Sequence, residues 1–149
     1  MNNEQTDGSP TIAIISGYVG QRLVLSSAYK RSGFVTVEAE SGIEALARLS
    51  AGAPDVMVLG TRITDMSTTD LRDGIRAHPD GRTMGLIIID DEVVDLTTVD
   101  PHERRLLNPV TWHDLYAATL EVVASVDRSV DGDDSQLLAH LRGAAAAEG

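Results

Sequence analysis

The sequence predicts a three-layer α/β/α sandwich built on a five-stranded parallel sheet. Short apolar runs of strand length alternate with helix-length stretches along residues 11–129. The best of these runs, Ile12-Ala13-Ile14-Ile15 and Val56-Met57-Val58-Leu59, are continuously apolar, as strands covered on both faces must be. Glycine, proline and serine punctuate the boundaries. Apolar residues make up 42% of the chain and aromatics only 3%, so the core is aliphatic.

The first ten residues are polar and acidic and read as a loose tail, with no apolar segment behind a basic start. Residues 11–15 form the first strand. Ser16-Gly17-Tyr18-Val19-Gly20 turns the chain into a helix over residues 21–31, which Ser32-Gly33 stops. Residues 35–38 alternate and form the second strand. Ser41 caps a helix whose apolar positions Ile43, Leu46 and Leu49 recur at helical spacing, and Gly52 ends it. Residues 56–59 are the third strand. Thr68 or Thr69 begins a helix through Leu71 and Ile75 that stops near His78-Pro79. Residues 86–89 are the fourth strand and 105–107 a short fifth. A long helix follows over residues 112–129, with an apolar face of Leu115, Tyr116, Thr119, Leu120, Val123 and Val126. Residues 130–149 read as an acidic hinge, a short helix through Leu137, Leu138 and Leu141, and a fraying tail.

The net charge of −11, from 23 acids and 12 bases, argues against a phosphate backbone as partner. The chain has no cysteine, which excludes disulfides and thiolate chemistry. No apolar run approaches the ~20 residues of a membrane span, and the expected location is the cytoplasm.

In an open parallel sheet, functional groups gather at the carboxyl ends of the strands. The element order, the stretch PDVMVLGTRITDM (residues 54–66) and Leu107-Asn108-Pro109-Val110-Thr111 together resemble the receiver domain of two-component response regulators over about residues 11–127. The resemblance implies a flavodoxin-like fold with strand order 2-1-3-4-5. It also implies a phosphorylation site at the sheet edge, and there every matching position departs from the family. The acidic pair after the first strand is Ser16-Gly17. The phosphoacceptor aspartate is Gly60. The hydroxyl residue after the fourth strand is Asp90, the lysine before the proline is Asn108, and the switching aromatic of the fifth strand is Arg105. The only lysine in the chain, Lys30, lies far away in the first helix. Phosphoryl transfer needs a nucleophile in line and cations to neutralise developing charge, and magnesium needs carboxylate oxygens. Neither requirement is met, so the expectation is a pseudo-receiver: not an enzyme, without cofactor or metal. It would act on protein partners such as a histidine kinase, a response regulator or another effector, as a homodimer.

Several features admit two readings. Asp65, Asp90, Asp91, Glu92 and Asp95 are expected near one sheet edge, either as a relocated metal site using Asp90 and Asp65 or as a solvated acidic loop. Asp90 and Arg105 either pair across adjacent strands or stand independently. Gly17, Gly20 and Arg62 mark a possible anion- or ligand-binding edge beside the first helix, or serve turn geometry alone. Arg72 and Arg76 have the spacing of some cyclic-dinucleotide sites, though pairing with Asp70 and Asp73 on the helix surface explains them too. The four histidines are scattered and offer no ligand pair. Only seventeen residues separate Asp90 from Asn108, with Pro101 among them, so the helix between strands four and five is expected to be short, displaced or absent. Val93, Val94, Leu96, Trp112, Tyr116, Leu137, Leu138 and Leu141 are the candidate interface.

Overall fold

The structure is a computed structural model, which describes residues 9–91 and 100–133, with side chains to residue 126 in the last helix. Its elements are β1 (Thr11–Ile15), α1 (Val19–Arg31), β2 (Val35–Ala39), α2 (Gly42–Gly52), β3 (Val56–Leu59), α3 (Thr68–Ala77), a 3₁₀ turn (Pro79–Gly81), β4 (Gly85–Asp90), β5 (Glu103–Leu107) and α4 (Trp112–Asp133). The five strands form one sheet in the order β2-β1-β3-β4-β5, every pair parallel.

The continuous apolar runs do what their composition requires. On one face Ala13, Ile15, Met57, Leu59, Leu86 and Ile88 pack under α2 and α3. On the other, Ile12, Ile14, Val56, Val58, Ile87 and Ile89 pack under α1 and α4. Alternate residues of one strand serve opposite cores, so a one-residue slip would exchange the layers. Between α1 and α4, Tyr29 is fully buried. Thr119 donates to the Leu115 carbonyl, which leaves the Tyr29 hydroxyl to donate to Thr119 Oγ1 at 2.7 Å. Burial pushes that phenol well above its ordinary pKa.

Some elements differ from the sequence-based expectation. The buried stripe of α4 is Leu115, Ala118, Thr119, Val122 and Ser125, while Tyr116 and Leu120 face outward. Ala118 and Val122 follow Leu115 at helical spacing of three and four residues and pack in the core with β3 and β4. In α2, Ala45 and Leu49 are buried while Ile43 is exposed. α4 runs to Asp133, so residues 130–133 are helical and not a hinge. One glycine costs only ~1 kcal/mol within a helix, and no proline interrupts this one. β5 begins two residues earlier than expected, at Glu103, whose buried carboxylate disguises a strand residue.

Among the described residues no helix lies between β4 and β5. Residues 92–99, which include Glu92, Asp95, Val93, Val94 and Leu96, lie outside the described residues, as do Leu137, Leu138 and Leu141. No helix among the described residues is long and apolar enough to cross a membrane.

Candidate functional site

The carboxyl edge of the sheet is sealed by its own polar groups. β1 ends at Ser16, fully buried. Its hydroxyl donates to the Thr61 carbonyl at 2.9 Å and accepts from the Tyr18 N–H at 3.0 Å. Gly17 N–H donates to the same Thr61 carbonyl at 3.0 Å. The Arg22 guanidinium donates to the Ser16 carbonyl at 2.6 Å and pairs with Glu38 and Glu40 at 3.5 and 3.9 Å. The two positions that the resemblance would give to metal-binding acids therefore join β1 to the loop after β3.

Gly60 closes the edge from the other side. A β-carbon there would lie 2.3 Å from Gln21 Oε1. That oxygen accepts from the Thr61 N–H at 2.8 Å and from the Thr61 hydroxyl at 3.3 Å. The space a residue-60 side chain would need is filled by an amide from α1. Gly60→Ala is expected to displace Gln21 and cost about 1–2 kcal/mol by chemical denaturation. In the Gln21→Ala background the same change should cost clearly less, a coupling that a double-mutant cycle measures.

Asp90 and Arg105 do pair, at 3.2 Å and with both side chains largely buried. Asn108 Nδ2 donates to Asp91 Oδ1 at 2.6 Å, and Asn108 N–H to the Asp90 carbonyl at 2.8 Å. Asp65 does not join an acidic edge cluster. It accepts from the N–H groups of Gly42 and Ile43 at 2.8 and 2.9 Å, at the positive end of α2. These bonds hold its carboxyl below the ordinary range. A depressed pKa means stability present above the unfolded carboxylate's pKa and lost as pH falls through the folded value. Asp65→Ala should accordingly flatten the acid limb of the pH–stability curve, read as thermal midpoints. No group of three or more metal-ligating side chains occurs among the described residues.

Arg72 and Arg76 are not simple surface partners of Asp70 and Asp73. Arg72 Nε donates to Glu103 Oε1 at 2.7 Å and reaches Asp73 at 3.3 Å. Arg76 lies 3.2 Å from Asp100 and 3.8 Å from Glu103, and donates to the carbonyls of Gly81 and Met84. Arg105 stands 3.9 Å from the other Glu103 oxygen. The hydrogen bond that Arg72 donates to the Glu103 carboxylate raises the Arg72 pKa. Burial lowers that of Arg76 against the pull of Asp100 and Glu103. Three guanidinium groups thus surround one carboxylate whose side chain is 3% exposed, on the sheet face beside α3.

A cleft of about 520 Å³ opens above the sealed edge, beside the start of α1. Gly20 and Arg62 line it, together with Tyr18, Gln21, Asp91 and Asn108, over an apolar wall of Val24, Leu25, Ile89 and Val110. Gly17, also expected there, lies instead beneath the Arg62 backbone. Arg62 adopts a φ of 62°, a conformation that costs a non-glycine residue ~1 kcal/mol or more. Its guanidinium sits 5.1 Å from the centre of the Tyr18 ring. Of the expected interface residues, Trp112 packs edge-on against Tyr29 at 4.9 Å, inside the α1–α4 core. A large aromatic ring at a helix start is drawn to the nearest apolar gap.

No protein-family model and no curated protein sequence matches the chain. Solved structures do. A signal receiver domain of a histidine kinase from Syntrophus aciditrophicus superposes with a TM-score of 0.71 at 20% identity, covering 80% of this chain and 94% of that one. Chemotaxis protein CheY4 of Vibrio cholerae gives 0.69 at 15% identity, covering 77% and 99%. The receiver domain of the sensor histidine kinase PA1611 of Pseudomonas aeruginosa, which holds magnesium in its active-site cleft, gives 0.66 at 14%, covering 78% and 99%. The chain has the CheY-like fold of receiver domains, a five-stranded parallel sheet in the order 2-1-3-4-5 between two helical layers.

Proposed function

We propose that this chain is a pseudo-receiver, a phosphorylation-independent module of bacterial two-component-type signalling that acts by binding proteins. Its partners in this reading are a histidine kinase, a response regulator or another effector, and it works in the cytoplasm as a homodimer. The observation that carries the reading is the occupied position at Gly60, where the Gln21 amide stands in the place of an acceptor side chain. Around it Ser16, Gly17, Asp90, Arg105 and Asn108 offer neither paired carboxylates for a metal nor a lysine for the phosphoryl charge. Their polar groups are already engaged, Ser16 and Gly17 with the Thr61 carbonyl, Asp90 with Arg105, and Asn108 with Asp91. The test is incubation with acetyl phosphate and magnesium, followed by intact-mass measurement. No phosphoryl adduct is expected; a stoichiometric adduct on an edge residue would overturn the proposal.

One observation favours a second reading, a small-ligand sensor. The cleft between α1 and the strand-end loops has a volume in the range of ligand sites. It carries one guanidinium, Arg62, suited to an anion such as a cyclic dinucleotide or another phosphate. Arg72 and Arg76 do not contribute, being committed to Glu103 and Asp100. A melting-temperature increase with a cyclic dinucleotide that disappears in Arg62→Ala would establish this reading. Silence across anionic ligands would remove it.

A further inference from the structure

We infer that α1 is the surface on which two copies of this chain associate, as an antiparallel pair about a two-fold axis. The inference rests on the homodimer proposed above and moves its interface away from Trp112 and Tyr116 of α4.

Half of the exposed large apolar residues among the described ones belong to this one helix and its cap. Tyr18, Val19, Leu23 and Val24 are 50–67% exposed. A patch of this kind on a soluble domain marks a contact surface. Leu23, 60% exposed, forms one wall of a shallow hollow of about 320 Å³ completed by Val24, Ser27 and Arg31. Exposed leucine and hollow thus lie side by side on the same face.

Charge identifies the occupant. α1 carries Arg22, Lys30 and Arg31 and no acid, in a chain of net charge −11. Arg22 is turned inward and paired with Glu38 and Glu40. These two acids therefore stand beside the first turns of α1, while Lys30 and Arg31 are exposed in its last turn. One surface holds an acidic end, an apolar middle and a basic end.

Such a surface complements itself under a two-fold rotation. With the axis near residue 25, the partner's Lys30 and Arg31 come level with residues 19 and 20, next to Glu38 and Glu40. The partner's Leu23 meets the hollow beside Val24, against the wall formed by Arg31 donating to the Ser27 hydroxyl at 2.7 Å. Antiparallel helices also oppose their dipoles favourably. One helix and one strand edge per copy form a contact at the low end of stable interfaces, so the dimer is concentration-dependent.

Sedimentation equilibrium of the full chain tests this. Leu23→Glu, a change at an exposed position, should leave the melting curve in place and weaken the dimer about tenfold or more. Lys30→Glu/Arg31→Glu and Glu40→Lys should each weaken self-association, because like charges then meet at both ends. Mixed together, they should pair with each other more tightly than either pairs with itself. A wild-type chain that stays monomeric at every concentration overturns both the α1 pairing and the homodimer. A dimer that survives Leu23→Glu, or variants that gain nothing on mixing, overturns the α1 pairing alone. Neither result bears on phosphorylation independence, which the acetyl phosphate experiment decides separately.

Discussion

Glu103→Ala is expected to destabilise the domain by about 3 kcal/mol, since removing the buried carboxylate leaves its partly buried partners with less opposite charge to balance them. Here three guanidinium groups lose their shared carboxylate at once: Arg72 at 2.7 Å, Arg76 at 3.8 Å and Arg105 at 3.9 Å. Arg76 suffers most, because burial already opposes its charge and Asp100 alone would remain to balance it. Glu103→Gln keeps the volume and one acceptor, so its cost should fall between alanine and wild type. Urea unfolding measures both. Arg72→Ala combined with Glu103→Ala should cost much less than the two single losses added together. Additive losses would show that the cluster does not act as a unit.

Gly17→Ala should be comparably severe, at about 3 kcal/mol. A β-carbon at residue 17 would fall 1.7 Å from the Arg62 carbonyl oxygen and 2.8 Å from its carbonyl carbon. Both are backbone atoms, so the clash cannot be relieved by turning a side chain. The loop after β3 would have to lift, breaking the Gly17 and Ser16 bonds to Thr61. Gly20→Ala is the control. There the new carbon meets only the Tyr18 ring, at 2.9–3.2 Å, which can swing away, and replacing a helical glycine contributes up to ~1 kcal/mol. That variant should be neutral or stabilised. If the two alanines behave alike, the contact at Gly17 does not hold the loop down.

The strands were legible because burial on both faces selects apolar residues along β1, β3 and β4, and their order followed from the resemblance to receiver domains. The sheet edge was legible too, since a parallel sheet brings Ser16, Gly60, Asp90 and Asn108 to one end whatever their identities. The Asp90–Arg105 pair follows from adjacent strands in register, with Ile88 beside Arg105. What escaped depends on partners distant in the chain. Gln21 reaches a residue 40 positions away, and no local pattern marks it as the side chain that fills a glycine's space. Glu103 reads as a loop acid until Arg72, 31 positions earlier, is seen to hold it. The α4 stripe was misplaced because large residues suggest burial, whereas the packing selected Ala118 and Val122.

Gln21 over Gly60 also shapes the mutational paths open to this domain. An aspartate introduced at residue 60 would bring its carboxylate to where an amide oxygen already stands and Thr61 is already bonded. With Gln21 in place the new side chain must displace it, and a change at residue 21 alone leaves the Thr61 N–H without its partner. Each step alone is unfavourable, so residues 21 and 60 constrain one another, and what residue 60 can become is filtered by what stands at residue 21.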